Sequence, residues 1–193
     1  DSGRFAEEIS PITITDRKGS TEVMSDESPR RDTSLEALAK LKPAFSPNGS
    51  VTAGNAPGVN DGAAALIVTS PEWAAANGHT PLATILAQAE AAWDAPYLAK
   101  TPAMAAEIAL KRAGKTAADI DLAEINEAFA NVAINSARML GMDPEIVNVN
   151  GGAVALGHPI GASGARIVLT LALELKRRGG GLGLAAICSG GGQ

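Results

Sequence analysis

Cysteine and long apolar runs are scarce in this sequence, and each scarcity excludes a class of protein. Cys188 is the only cysteine among 193 residues, so no internal disulfide is available and nothing indicates an oxidising compartment. No uncharged apolar stretch reaches the roughly 18 residues typical of a membrane span, and no signal-peptide pattern opens the sequence. We therefore expect a cytoplasmic protein with no membrane partner.

The charges and the histidines exclude two further kinds of site. The net charge is −5, and the one basic run covers residues 176–178 at the end of a predicted helix, so we expect no nucleic-acid partner. The chain has two histidines, His79 and His158, and no cluster of histidines and carboxylates has metal-ligand spacing. His79 lies in a polar turn. We expect a solvated side chain there and no metal site.

Small aliphatic residues are abundant, which is typical of parallel sheets covered by helices. Hydrophobic residues make up 46% of the chain, while aromatic residues make up only 3%. The alternation of apolar runs and helical patterns predicts an α/β fold, in which helices cover a layered, mostly parallel mixed β-sheet. Strands are predicted over residues 9–15, 63–69, 82–89, 120–125, 146–149 and 183–188. Helices are predicted over residues 33–41, 71–76, 101–114, 127–140 and 163–178.

The first part of the chain differs in composition from the rest. Residues 1–48 are rich in charged and turn-forming residues and predict a polar, loop-rich appendage. Residues 49–193 contain most of the alternating strands and helices and predict one layered domain. This second part opens with residues 49–62, which are dense in Gly, Asn and Pro and therefore predict turns.

Three side chains with useful chemistry lie at or just after the ends of predicted strands. Asn126 directly follows one strand, Cys188 closes the last one, and His158 lies between them in a loop that contains several glycines. Because the carboxyl ends of parallel strands meet at one edge of a sheet, we expect these three side chains to lie close together.

Each of these residues taken alone also has a purely structural explanation. Cys188 fits a small buried side chain, His158 a turn residue and Asn126 a helix cap. Together they favour a functional site, because a thiol beside an imidazole is expected to have a lowered pKa. An Asn amide and backbone N–H groups supply donors for a developing oxyanion. The combination predicts acyl-thioester or carbonyl chemistry.

Four motifs in the second part carry a resemblance to a known family. They read NEAFA at 126–130, NVNGG at 148–152, GHPIGASG at 157–164 and CSGGG at 188–192, and TAGNA at 52–56 also matches. In this order they resemble the signatures of the thiolases, the acetyl-CoA C-acyltransferases. The resemblance covers practically the whole chain. It implies a thiolase-like fold, with residues 1–48 as the end of the family's loop domain and residues 49–193 as its C-terminal catalytic domain.

The resemblance implies a catalytic role for four residues. His158 would activate the family's nucleophilic cysteine and hold the thioester oxygen of the second acyl-CoA. Asn126 would anchor a water in the same oxyanion hole. Cys188 would remove and return the α-proton of acetyl-CoA, and the backbone N–H of Gly190 would bind the oxygen of the tetrahedral intermediate.

The resemblance also implies where coenzyme A binds. Arg30 matches a position near the adenine, and Ala53 and Pro57 lie where the pantetheine arm passes. The CoA thioester is the substrate and no cofactor is implied. Since the family is commonly dimeric or tetrameric, we expect a homodimer or homotetramer.

The sequence also departs from the family's pattern. The family's nucleophilic cysteine has no counterpart here, the family's last strand would follow beyond residue 193, and Pro57 replaces a serine often found at its position. We therefore expect one part of a larger enzyme, inactive alone by the ping-pong route, whose partners include the missing N-terminal half. We also expect an isolated half to expose apolar surface that the other half covers.

Three functions remain open on the sequence. The first is a thiolase that condenses two acetyl-CoA into acetoacetyl-CoA, or cleaves 3-ketoacyl-CoA with CoA. The second is a non-catalytic acyl-CoA-binding or accessory thiolase-like subunit. The third is thioester hydrolysis with Cys188 as nucleophile and His158 as base. Retention of His158, Cys188 and Asn126 together favours the first.

Overall fold

The computed structural model describes residues 3–193, so the first two residues of the predicted appendage lie outside the described residues. Within that range the strands are β1 (Ile12–Asp16), β2 (Gly19–Val23), β3 (Leu122–Ile125) and β4 (Gly183–Ala186). The α-helices are α1 (Leu35–Leu38), α2 (Pro71–Ala76), α3 (Thr101–Ala113), α4 (Ala130–Leu140), α5 (Ala153–Leu156) and α6 (Ile160–Arg177). Short 3₁₀ turns cover Ala95–Lys100, Ala117–Asp119 and Pro144–Ile146.

The centre of the fold is a parallel pair of strands. β3 and β4 run side by side with Leu122 opposite Gly183 and Ile125 opposite Ala186. Val147 adds a single parallel bridge to Ala123 on the other side of β3. All four residues of β3 are buried, which explains why its sequence is almost entirely apolar.

Helices cover both faces of this pair. On one face, Ala123, Ile125 and Leu184 form a core cluster with the buried side chains of α3 and α4, including Ala106 and Ala137. On the other face, Leu122 packs against Leu171 and Leu175 of α6. The alternation of neighbouring β3 residues between the two clusters follows from the two-residue period of a strand. The predicted layered α/β fold is confirmed.

The helix ends follow the signals in the sequence. Ser34 and Ser70 cap α1 and α2, since their hydroxyls accept from the N–H groups of Ala37 and Trp73. Gly114 and Gly141 end α3 and α4 in the left-handed conformation, at φ of 66° and 65°. The sequence predicted these four boundaries. The predicted helix over 127–140 instead begins at Ala130, and α6 begins three residues before the predicted 163.

The appendage contains a hairpin that the sequence predicted only in part. β1 and β2 pair in antiparallel fashion, and every residue of both strands is exposed. The predicted strand over residues 9–15 corresponds to β1, whereas β2 was not predicted. Its sequence carries a Glu and a Gly and has no apolar alternation, so only its pairing with β1 makes it a strand.

A buried carboxylate attaches the beginning of the described chain to α6. Glu174 is 1% exposed and accepts from Arg4 at 3.1 and 3.2 Å, from Asn150 at 3.0 Å and from Arg178 at 2.7 Å. Nε of Arg177 adds a contact at 2.9 Å. These hydrogen bonds hold the pKa of the Glu174 carboxyl well below its usual range, and the bond from Arg177 has the largest effect.

Three predicted strands are wrong. Residues 63–69 and 82–89 are not strands in the structure, and residues 146–149 contribute only the bridge at Val147. A strand needs the N–H and C=O groups of a neighbour, and the first two segments have no such neighbour among residues 3–193. Apolar side chains on them are consequently exposed, namely Ile67, Val68, Ile85 and Leu86.

The helices of the described residues are too short or too polar to cross a bilayer.

The exposed segments predict how the chain behaves when it is produced alone. We expect it to self-associate and to bind an apolar dye, because Ile67 and Ile85 are 91% and 63% exposed. The double variant Ile67→Ser/Ile85→Ser should lower both dye fluorescence and apparent mass in light scattering. Thr69→Ser, which changes an exposed polar residue of the same segment, is the control and should change neither. A monomer that binds no dye would contradict the expectation.

Candidate active site

Asn126 lies at the point where β3 ends, and its backbone extends the pairing with β4. Its N–H donates to the carbonyl of Ala186 at 2.9 Å, and the residue is 1% exposed. The preceding residue is held from the other side by Asn148, whose side chain accepts from Ile125 N at 2.8 Å and donates to Ile125 O at 2.9 Å. An amide side chain thus replaces the neighbouring strand that the sequence predicted over 146–149.

His158 follows α5 in a loop that has no room for a side chain at Gly157. The N–H of His158 donates to Oδ1 of Asn60 at 3.1 Å. A Cβ on Gly157 would lie 2.8 Å from Cγ of the same Asn60, and the φ of Gly157 is +102°. Both facts require glycine. Sequence reasoning missed Asn60, whose only signal was its place in the turn-rich segment 49–62.

A serine in the first turn of α6 fixes which imidazole nitrogen carries a proton. The Ser163 hydroxyl donates to the carbonyl of Pro159 at 3.0 Å, and its oxygen lies 2.7 Å from Nδ1 of His158. We assign the ring proton to Nδ1, because the hydroxyl hydrogen then serves Pro159 and Ser163 accepts from Nδ1–H of the neutral ring. Nε2 is therefore the unprotonated nitrogen and is able to take a proton. Sequence reasoning did not single out Ser163.

The structure brings His158 and Asn126 into contact. Nδ2 of Asn126 lies 3.4 Å from each ring nitrogen of His158. Oδ1 of Asn126 is buried and has no hydrogen-bond partner among the described residues. A buried amide oxygen without a partner is costly, so this oxygen is available to a bound water or substrate.

The imidazole is poised to act as a base. Burial, and secondly the positive charge of Arg166, lower the pKa of His158 below its ordinary value. The ring is therefore neutral at physiological pH, which is the form that accepts a proton.

Cys188 lies two residues beyond β4 and is buried, with 7% of its surface exposed. Burial raises the pKa of its thiol, so the expectation of a lowered value is wrong. Within the described residues the hydrogen-bond partners of the imidazole are Ser163 and Asn126 and do not include the thiol. Desolvation therefore controls the thiol, and Cys188 keeps its proton at neutral pH.

The other four predicted site residues lie on the surface or in loops. Gly190 is exposed in the turn that closes with hydrogen bonds between Ser189 and the last residue. Ala53 is exposed and Pro57 is half-buried, both in the segment that carries Asn60. Arg30 is exposed between β2 and α1. Of these residues, only Ala53 and Pro57 lie in a segment that hydrogen-bonds to His158, through Asn60.

An ion pair lies between β3 and α6 beside this site. Glu124 is 2% exposed, and Nη1 of Arg166 reaches its Oε2 at 3.3 Å. Burial raises the pKa of Glu124 to about 7, against the opposing effect of the Arg166 charge. In residues 3–193 no three His, Cys, Asp or Glu side chains form a group suited to a metal ion.

Comparisons with known families identify the family of this chain. The family model described as "Thiolase, C-terminal domain" matches residues 79–193, and "Thiolase, N-terminal domain" matches residues 1–72. The chain belongs to the thiolase family, and the resemblance found in its motifs is confirmed. The predicted boundary after residue 48 stays a prediction.

Within this family, the chain is similar to proteins named acetyl-CoA acetyltransferase. An acetyl-CoA acetyltransferase of Paracoccus denitrificans is 53% identical over 192 residues, which is 100% of this chain and 49% of the relative. One from Escherichia coli (strain K12) is 49% identical over 193 residues, with the same coverage. The chain thus spans about half the length of the relatives it matches.

Solved structures show the same fold. The Bacillus anthracis acetyl-CoA acetyltransferase superposes with a TM-score of 0.91 at 48% identity, covering 99% of this chain and 48% of that one. Human mitochondrial 3-ketoacyl-CoA thiolase gives a TM-score of 0.87 at 40% identity, covering 100% and 49%.

Ser163→Ala tests the tautomer assignment. Without the hydroxyl acceptor, we expect the proton of His158 to redistribute from Nδ1 toward Nε2. The ¹⁵N chemical shifts of the ring report this change, and His158→Asn identifies the signals by their loss. Ser136→Ala is the matched control, because Ser136 is equally buried and has no hydrogen-bond partner within the described range. Unchanged shifts in Ser163→Ala would refute the assignment.

Glu124→Gln tests the raised carboxyl pKa. The folded state holds this proton up to about pH 7 and the unfolded state only to about 4.5. The contribution of Glu124 to the free energy of unfolding is therefore fully present below pH 4.5 and is lost as the pH rises through 7. Between about pH 5 and pH 8 we expect the melting temperature of the parent protein to fall more steeply than that of Glu124→Gln. Glu107→Gln, at an exposed site on α3, should follow the parent curve. Parallel curves for all three proteins would contradict the assignment.

Proposed function

We propose that this chain is the acid/base half of a thiolase. Its reaction is the reversible condensation of two acetyl-CoA to acetoacetyl-CoA, or the CoA-dependent thiolysis of a 3-ketoacyl-CoA. The observation that carries the proposal is the contact between Asn126 and His158, with one amide oxygen of Asn126 buried and unpartnered. The relatives named acetyl-CoA acetyltransferase and 3-ketoacyl-CoA thiolase support this reaction.

His158 would first act as a base. Its Nε2 takes the thiol proton of the nucleophilic cysteine, which the other half of the enzyme supplies, and the thiolate attacks the acyl carbon. Once Nε2 carries the proton, both ring nitrogens are donors. The ring then donates from Nε2 to the thioester oxygen, while Nδ1 still donates to Ser163.

Asn126 would complete the same oxyanion hole. Its Nδ2 lies beside the imidazole, and its free Oδ1 holds a water that donates to the developing negative charge. Gly190 would serve a second oxygen, since an exposed glycine N–H approaches a tetrahedral intermediate closely.

Cys188 would move the α-proton. In thiolysis the carbon–carbon bond breaks, an acetyl-CoA enolate leaves, and the Cys188 thiol protonates it; CoA then releases the acyl group from the nucleophilic cysteine. A thiol with a raised pKa keeps its proton at neutral pH, and its thiolate is a stronger base for the reverse step. This pKa direction suits an acid/base residue better than a nucleophile.

The contacts with coenzyme A and the assembly predicted above belong to the same proposal. Arg30 would contact the CoA adenine, and Ala53 and Pro57 the pantetheine arm, with residues 1–48 as the CoA-contacting appendage. The enzyme would use the CoA thioester as substrate and no further cofactor. It would assemble as a homodimer or homotetramer that includes the N-terminal half, without which this chain does not turn over.

The test is a thiolysis assay with intact-mass analysis on the full-length gene product that contains this chain. The parent should consume acetoacetyl-CoA and CoA and carry an acetyl adduct on an upstream cysteine. His158→Asn should lose adduct formation and turnover. Cys188→Ser should still form the adduct from acetyl-CoA alone, because that acylation needs no proton transfer to carbon. In thiolysis it should lose about 10²- to 10⁴-fold in kcat.

The control is His79→Asn, which changes an exposed histidine stacked on Trp73 and should leave kcat unchanged. An adduct on Cys188 that water releases would instead indicate a hydrolase. Tight binding of acyl-CoA without any adduct would indicate an accessory subunit. Either result would overturn the proposal.

A further inference from the structure

Glu127 is the charged side chain next to Asn126 in the chain, and the mechanism above gives it no role. We infer that Glu127 is a positioning residue, which holds the loop from Asn148 to Gly157 so that His158 meets Asn126. The inference rests on the proposed function, because it makes Glu127 responsible for the distance between His158 and Asn126, the two side chains to which that function gives catalytic roles.

The carboxylate of Glu127 contacts this loop at two places. Oε1 accepts from Nδ2 of Asn148 at 3.1 Å, and Oε2 accepts from the backbone N–H of Val154 at 2.9 Å. Val154 lies in the first turn of α5, whose N-cap residue, Gly152, provides no side-chain cap. A carboxylate from across the site therefore satisfies an N–H at the start of this helix.

The loop is shaped to admit this carboxylate. A Cβ at Gly152 would collide with the carboxyl group of Glu127, and the nearest three atoms all belong to that group. The backbone of Gly152, at φ −112° and ψ −172°, is one that other residues adopt readily. Glycine is needed here for the approach of Glu127 and not for its conformation.

Asn148 connects the carboxylate to the strand that carries Asn126. It is the one non-glycine residue of the described chain with a positive φ, at 50°, a conformation that Asn tolerates better than most residues. In this conformation its amide contacts both the backbone of Ile125 and Oε1 of Glu127. The same side chain therefore holds the end of β3 and the start of the loop.

Together these contacts support the loop that ends directly before His158. The loop is held at Asn148 and at Val154, and Gly157 follows α5 directly before His158. Asn126 and Glu127 are consecutive, so the carboxylate fixes the loop relative to the residue that His158 must meet. Catalytic groups need such support, because a displacement of about 1 Å can reduce a rate roughly 100-fold.

The first test is Glu127→Gln in the full-length gene product. The amide keeps the size of the side chain, but its NH₂ group cannot accept a hydrogen bond. It therefore faces either Nδ2 of Asn148 or the N–H of Val154, and both of these are donors. We expect kcat to fall about 100-fold while KM for acetoacetyl-CoA and the melting temperature stay close to those of the parent. Hydrogen exchange of the amides in 152–158 should become faster.

The matched control is Asp143→Asn, which removes the charge of another carboxylate that caps a short helix. Asp143 accepts from Glu145 N at 3.0 Å, and no hydrogen bond joins its side chain to the loop among the described residues. This variant should keep the parent's kcat and its exchange in 152–158. Wild-type kcat in Glu127→Gln, or a loss matched by an equal loss of folded protein, would overturn the inference.

A double-mutant cycle tests the contact itself. Gly152→Ala should lower kcat in the parent, because the new methyl group displaces the carboxylate. In a Glu127→Ala background the same change should have little further effect, since its steric partner is gone. Additive losses would overturn the inference. If the parent shows no thiolysis, the proposed function fails, while the exchange measurement still decides whether Glu127 holds the loop.

Discussion

The parallel pairing of β3 with β4 is the constraint on which the rest of this structure depends. It places Ile125 opposite Ala186, so that the chain leaves both strands at the same edge, with Asn126 after one and Cys188 after the other. The N–H of Asn126 belongs to this pairing. A shift of one residue would turn Ala123 and Ile125 away from α3 and α4 and bring Glu124 into their apolar cluster.

Polar side chains perform structural tasks in this molecule that strands or caps usually perform. Asn148 pairs with the backbone of Ile125 in place of a strand, and Asn60 holds the N–H of His158. Ser163 orders the imidazole. The functional side chains are thus surrounded by hydrogen bonds from three separate regions of the chain, which limits their freedom without filling the site with apolar groups.

The sequence allowed every α-helix of the described residues except α5 to be predicted, because the signals are local. Ser34, Ser70, Gly114 and Gly141 mark helix ends through hydrogen bonds within a few residues. Asn126, His158 and Cys188 were proposed as site residues from their place after strands and from their motifs, and the structure brings Asn126 and His158 into contact. Strands at 63–69 and 82–89 were predicted wrongly, since an apolar run does not show whether a neighbouring strand is present. Asn60 was missed, because the hydrogen bond from His158 to Asn60 joins residues 98 positions apart. Ser163 and Glu127 lie inside the motifs, but the motifs do not show which groups their side chains contact.

The pairing of β3 with β4 also orders the events of folding. α3 and α4 lie on either side of β3 in the chain, so their packing against Ile125 involves short loops and forms early. The N–H of Asn126 finds its acceptor only when Ala186 has been synthesised, near the end of the described chain. Until then one edge of an apolar strand is open, and an open strand edge is a template for pairing with another chain. The backbone of Asn126 is therefore secured only after the later strand, β4, has been made.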